Sequence, residues 1–261
     1  MKKRALLIGA AGGGTRSQYL HGVEADLHNM REHLISPKGG GWQDHEVIIL
    51  DNPAISQINL VFNDLNADFT QIYFTGHGST DENGRRILHL SNGQKFADKD
   101  FLKLRSTRLL ITVDACRVYL PSDSCLGFLG EAYSHFDGDS SQLLLARKLY
   151  NYWIKNTMPG RLIVHSTDRY NSALDLGTGG LFTSSLLDYA SRLRPNGNKC
   201  TIADIINICS RAASSISKNG YSQRPTIVYK QGNIKLPFAM GLPEFVFTSR
   251  SPFLQKRVNL L

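Results

Sequence analysis

Residues 71–79, QIYFTGHGS, and residues 109–117, LLITVDACR, share one pattern. Each is a short apolar run that stops abruptly at a small or polar residue and then presents a reactive side chain, His77 in the first and Cys116 in the second. A continuous apolar run of this length reads as a strand buried on both faces, the type found in parallel sheets covered by helices. In such sheets the functional groups gather beyond the carboxyl ends of the strands. A histidine and a cysteine that follow two neighbouring strands would therefore face each other, as thiol catalysis requires. A thiol is a weak nucleophile, and a nearby imidazole raises its thiolate fraction.

The surrounding sequence repeats the strand–helix alternation. Strands are expected at residues 4–10 (RALLIGA), 46–50 (EVIIL), 71–75, 109–113, 161–165 and 226–229, the second read as buried like the first. Helices are expected at residues 22–35, 55–65, 140–155, 181–193 and 202–216, where apolar residues recur at helical spacing. Residues 86–90 suggest a small hairpin turned by Ser91, Asn92 and Gly93. The expected fold is α/β, a three-layer sandwich with a six-stranded, mainly parallel sheet. It occupies residues 1–231, and residues 232–261 form a C-terminal extension packed on the domain.

Composition narrows the function. The chain has 261 residues, 41% hydrophobic and 20% charged, which is ordinary for a globular protein. The net charge of +8 comes from scattered basic residues rather than a block, so no nucleic-acid partner is expected. No apolar run approaches the roughly 20 residues of a membrane-spanning helix, so no membrane partner is expected either. The apolar stretch after Met1-Lys2-Lys3-Arg4 is too short for a secretory signal and runs into glycines. Cys116, Cys125, Cys200 and Cys209 form neither a disulfide framework nor a CxxC metal motif. A cytoplasmic location and the absence of a structural metal follow as expectations.

The glycines around His77 allow close backbone approach. The amides of Gly78 and Cys116 are candidate donors to the oxyanion of a tetrahedral intermediate. The glycines at positions 9 and 12–14 superficially suggest a dinucleotide loop, but the spacing is not GxGxxG.

Residues 73–79 (YFTGHGS) and 111–117 (ITVDACR) resemble the catalytic segments of the caspase and metacaspase family of cysteine peptidases. The likeness extends to residues 20–30 (LHGVEADLHNM), residues 165–190 and Gln223-Arg224-Pro225, in the family's order. The resemblance implies an endopeptidase with His77 as general base and Cys116 as nucleophile, acting on a protein or peptide substrate. It also suggests control by an activating partner, and it places similar prokaryotic peptidases in cell death or anti-phage defence.

Departures from the aspartate-specific members bear on specificity. Leu20 and Leu174 stand where those enzymes carry arginines, and Asp114 stands where they carry glutamine. Metacaspases, which cut after Arg or Lys, have acids at positions matching Asp26 and Asp114. Those two residues, with Thr75, are the candidates for a basic primary pocket. Ser166 and Asp168 are candidates for lining the groove. Calcium is a candidate cofactor through Asp81, Glu82, Asp98, Asp100 or Asp123, although no ligand loop of fixed spacing is visible. Residues 118–146 contain no Lys or Arg, so a basic-specific enzyme could not cut itself there. The competing readings are a catalytically silent scaffold that binds partners and an aspartate-specific peptidase.

Overall fold

The computed structural model describes residues 1–12, 19–115, 117–119, 140–168, 171–194, 199–202, 204, 206 and 223–242. Its centre is one six-stranded sheet. The strands are β1 (Lys3–Ala10), β2 (Val47–Asp51), β3 (Ala67–Gly76), β7 (Ser106–Ala115), β9 (Gly160–His165) and β12 (Thr226–Gln231), in the order β12-β9-β7-β3-β1-β2. All neighbours run parallel except β12, which is antiparallel to β9. The chain passes from β1 outward to β2, then returns to lay β3, β7 and β9 on the other side of β1. That reversal opens a crevice at the carboxyl ends of the strands beside β1 and β3.

Alternation along the strands divides the core in two. Leu7, Phe69, Tyr73, Leu110 and Val164 point to one face, packed under α1 (Gly22–Ile35), α3 (Ser140–Lys155) and α4 (Leu181–Ser191). Leu6, Ile8, Ile72, Phe74, Ile111 and Ile163 point to the other, against α2 (Ile55–Asp64) and an accessory sheet. The side-chain period of two makes both faces of the central strands apolar, and burial on both sides explains their continuous apolar runs. The three-layer sandwich expected from sequence is the fold observed.

One local reading needs correction, and one is extended. The second strand is not buried on both faces: β2 forms the edge of the sheet, and Ile49 is 40% exposed. An apolar run alone does not reveal whether a strand has one neighbour or two. The expected hairpin is a three-stranded antiparallel sheet, β4 (Gly78–Thr80), β5 (Arg86–His89) and β6 (Lys95–Ala97), with Ser91–Gly93 as a 3₁₀ turn between β5 and β6. Two further short pairs complete the described residues. β8 (Arg117–Tyr119) runs parallel to β10 (Ala173–Asp175), and β11 (Lys199–Thr201) runs antiparallel to β13 (Pro237–Met240). Phe238 and Met240 of β13 are buried in the core under α1 and α3. Residues 203, 205 and 207–216 of the expected helix lie outside the described residues, as do positions 13–18 of the glycine loop and positions 243–261.

Candidate active site

The site begins with strand register. β3 and β7 are neighbours, and Gly76 pairs with Ala115 at their carboxyl ends. His77 and Cys116 are the next residues in the chain. Cys116 itself lies outside the described residues. Gly76 has a φ of +149°, and a Cβ there would sit 2.4 Å from the Ala10 carbonyl oxygen. Only glycine combines that backbone with that approach, so the residue before His77 is dictated by geometry.

His77 is half-buried and held at both backbone ends. Its N–H donates to Ala10 O at 3.2 Å, and its carbonyl accepts from His89 N–H at 3.0 Å. Gly78 opens β4 and pairs with Leu88 of β5. Ser79 Oγ and His89 Nε2 form a hydrogen bond of 2.8 Å. Burial lowers the pKa of His89, helped by the charges of Lys95 and His77, so the neutral imidazole is favoured there. The accessory sheet thus grows directly out of the histidine loop and anchors it.

The acidic candidates converge beside this loop. Asp26 on α1 is 1% exposed and accepts from Thr75 Oγ1 at 2.7 Å and from Gly180 N–H at 2.9 Å. Asp114 is fully buried and accepts from Thr183 N–H at 3.3 Å and Thr183 Oγ1 at 2.7 Å. Thr75 pairs in register with Asp114, so one residue joins the two acids. Thr183 spends its hydroxyl proton on Asp114, so the Tyr73 hydroxyl donates to Thr183, at 2.6 Å. Gly180 is the N-cap of α4 and Thr183 lies in its first turn. The two carboxylates therefore meet the exposed N–H groups and the positive end of this helix, a favourable place for anions.

Two participants escaped the sequence reading. Thr183 follows a Gly-Gly pair at the start of a helix, a position that signals a helix start but not a partner. Asp175 at the end of β10 is fully buried and accepts from Gly177 N–H at 2.9 Å and Gly22 N–H at 3.4 Å. The loop between β10 and α4 also depends on a glycine. Gly179 has a φ of +142°, and a Cβ there would lie 2.8 Å from Asp26 Oδ1. Leu20 and Leu174, at the positions where aspartate-specific enzymes carry arginines, are both buried apolar side chains.

Ser166 and Asp168 follow β9. Ser166 is fully buried; its N–H donates to Val113 O at 2.8 Å, and its carbonyl accepts from Gln223 Nε2 at 3.1 Å. Asp168 is half-buried and accepts at Oδ1 from Asn171 Nδ2, at 2.8 Å. Of the acids considered for calcium, Asp81 pairs with Arg85, Asp100 with Lys103 and Asp98 with His165. Asp123 lies outside the described residues. Among the described residues no group of three or more His, Cys, Asp or Glu is placed to hold a metal ion, and no helix is long and apolar enough to cross a membrane.

A doubly covered, mainly parallel sheet with His77 and Ala115 at the carboxyl ends of adjacent strands is a three-layer α/β architecture. The family model for the caspase domain matches residues 2–233, and the chain belongs to that family of cysteine peptidases. Solved structures agree on the fold. Caspase-1 from Spodoptera frugiperda is 12% identical, with a TM-score of 0.55, covering 94% of this chain and 91% of its own. The Drosophila initiator caspase Dronc is 10% identical, with a TM-score of 0.51, covering 93% and 85%. Protein GSU0716 from Geobacter sulfurreducens is 17% identical, with a TM-score of 0.56, covering 97% and 98%. Comparison with curated protein sequences gives no match.

Proposed function

We propose that this chain is a cysteine endopeptidase that cuts after Arg or Lys through a His77–Cys116 dyad. The observation that carries the reading is the pairing of Gly76 with Ala115 on adjacent parallel strands, since His77 and Cys116 follow directly. In this reading His77 draws the proton from the thiol, and the sulfur attacks the scissile carbonyl. The oxyanion is held by the amides of Gly78 and Cys116. His77 returns its proton to the leaving amine, and water then releases the acyl group by the reverse route. Asp26 and Asp114, joined through Thr75, form the base of the primary pocket and attract a guanidinium or ammonium. Ser166 and Asp168 border the groove.

Fluorogenic peptides that differ only in the residue before the cut test this directly. The Arg and Lys peptides are expected to turn over at least about tenfold faster than the Asp peptide, since like charge against buried acids costs more than 1.4 kcal/mol. Faster turnover of the Asp peptide overturns the specificity.

The same specificity bears on maturation. Arg147 is the first basic residue after Arg117. It lies on α3, where it forms a two-pronged salt bridge to Glu46 with both N–O distances 2.6 Å. It also donates to Gly41 O at 3.1 Å. Its hydrogen bonds to Glu46 raise the pKa of Arg147, and cutting there requires opening both the helix and the pair. The active enzyme is therefore expected to stay uncut from residue 118 to residue 147. Intact mass of purified protein, beside a Cys116→Ala control, checks it; fragments ending between residues 117 and 147 in the active enzyme alone would refute it.

A further inference from the structure

A buried polar cluster lies between the accessory sheet and the end of β9, away from the acids of the proposed pocket. Arg86 of β5 is 5% exposed, Asp98 just after β6 is 2% exposed, and His165, the last residue of β9, is 6% exposed. His165 Nε2–H donates to Asp98 Oδ2 at 2.7 Å. Arg86 Nη2–H donates to the Asp168 carbonyl at 3.3 Å. Arg86 thus reaches the turn formed by residues 166–168 directly, and Asp98 holds the strand residue that leads into it.

We propose that Arg86, Asp98 and His165 are positioning residues: a buried brace that ties residues 166–168 to the histidine loop and so sets how tightly a peptide is held. The inference rests on the peptidase reading for its effect on substrate. The connection is short. β5 meets the histidine loop through His89 N–H on the His77 carbonyl and through the Leu88–Gly78 pairing. Three residues back along the same strand, about 10 Å at ordinary strand rise, Arg86 grips Asp168. Arg86 and Leu88 lie on the buried side of β5, while Ile87 and His89 are less covered. One strand therefore holds the base-bearing loop at one end and a wall of the groove at the other.

Stability does not account for the cluster. Charged groups taken out of water are costly, and apolar side chains of similar volume generally serve a core as well. Among the described residues, Arg86 Nη1 and Asp98 Oδ1 make no hydrogen bond, which adds to that cost. Burial lowers the pKa of His165 against the opposing pull of Asp98, and the Arg86 charge lowers it further. Asp98 and Arg86 thus act on His165 with opposite sign. The apolar neighbours Leu88, Phe96 and Phe101 close off this layer.

The test separates positioning from folding. Arg86→Met removes the hydrogen bond to the Asp168 carbonyl and leaves the buried cluster without its cation; it is expected to lower the melting midpoint and raise KM for an Arg peptide about tenfold, with kcat within about twofold, as loss of one uniform binding contribution predicts. The double variant Arg86→Met/Asp98→Asn carries neither charge. Its melting midpoint is expected to recover while KM stays raised, because the grip on the Asp168 carbonyl is still missing. KM returning to the wild-type value in the double variant, or KM unaltered in both, overturns the brace. If Arg86→Met does not fold, the double variant alone carries the comparison. Hydrogen exchange gives a readout free of turnover: faster exchange at residues 166–168 in the double variant supports the brace, and unchanged exchange overturns it. A wild-type enzyme that cleaves no peptide removes the peptidase reading and leaves the exchange result to decide the brace.

Discussion

Cys116→Ala is expected to lower kcat/KM for an Arg peptide by at least about 1,000-fold, and His77→Ala by about 100- to 10,000-fold, with the melting midpoint of each close to that of the parent. The asymmetry follows from chemistry. Without the sulfur no acyl-enzyme forms at all. Without the imidazole the sulfur remains, but the thiolate fraction falls and the leaving amine loses its proton donor. Folding is spared because His77 is held by its backbone, through Ala10 and His89, rather than by its side chain alone. An iodoacetamide probe with mass-spectrometric mapping distinguishes an activated thiol from an inert one. Labelling at Cys116 is expected to be fast in the parent and slow in His77→Ala. Cys200 supplies an internal control, since it is 5% exposed and burial pushes its thiol up to about 11. Equal labelling of Cys116 with and without His77 would exclude the dyad and favour a silent scaffold.

The second large effect concerns Asp114. Asp114→Asn is expected to reduce kcat/KM for an Arg peptide about 100-fold while leaving a citrulline peptide, its uncharged isostere, within about threefold. Removing one partner of a buried, hydrogen-bonded charge pair costs about 2–5 kcal/mol, which covers that range. Asparagine keeps an oxygen to accept from the Thr183 N–H and hydroxyl, so the start of α4 and the Tyr73 hydroxyl retain their partners. Asp114→Ala, in contrast, strands those buried donors and is expected to cost about 1–3 kcal/mol of stability for each. Asp26→Asn should shift the Arg-to-citrulline ratio in the same direction but at a cost in stability, since Thr75 and Gly180 donate to different oxygens of Asp26 and the amide keeps only one acceptor. An unchanged ratio in Asp114→Asn means that the acid only caps the helix, and the basic pocket is then excluded.

These two residues show how far the sequence can be read. Asp114 was singled out through family resemblance, by standing two positions before Cys116. Asp26 was legible only through family resemblance, because a lone acid on a helix carries no local signal. Asp175 and Thr183 were not legible. Both act through loops and helix starts that approach from distant parts of the chain. Asp175 reaches Gly22 across 153 positions, and Thr183 reaches Asp114 across 69. The brace of Arg86, Asp98 and His165 was hidden for the same reason. Read alone, His165 ends an apolar strand, Arg86 sits in a hairpin and Asp98 is one of several loop acids.

Edge strands mark the other limit. β2 carries the same apolar signature as the central strands, yet only β1 flanks it. Its apolar run revealed neither its partial cover nor its single neighbour in the sheet.

The alternation of apolar runs determined, without coordinates, a covered, mainly parallel sheet, and the numbering alone sets His77 and Cys116 one residue past the ends of two of its strands. Backbone sterics and burial are local enough to be written in consecutive residues. Only the tertiary structure decided which strands are adjacent, which acids share Thr75, and which charges are sealed beneath the accessory sheet. Those depend on contacts between segments far apart in the chain, whose hydrogen bonds and desolvation exist only once the layers have closed.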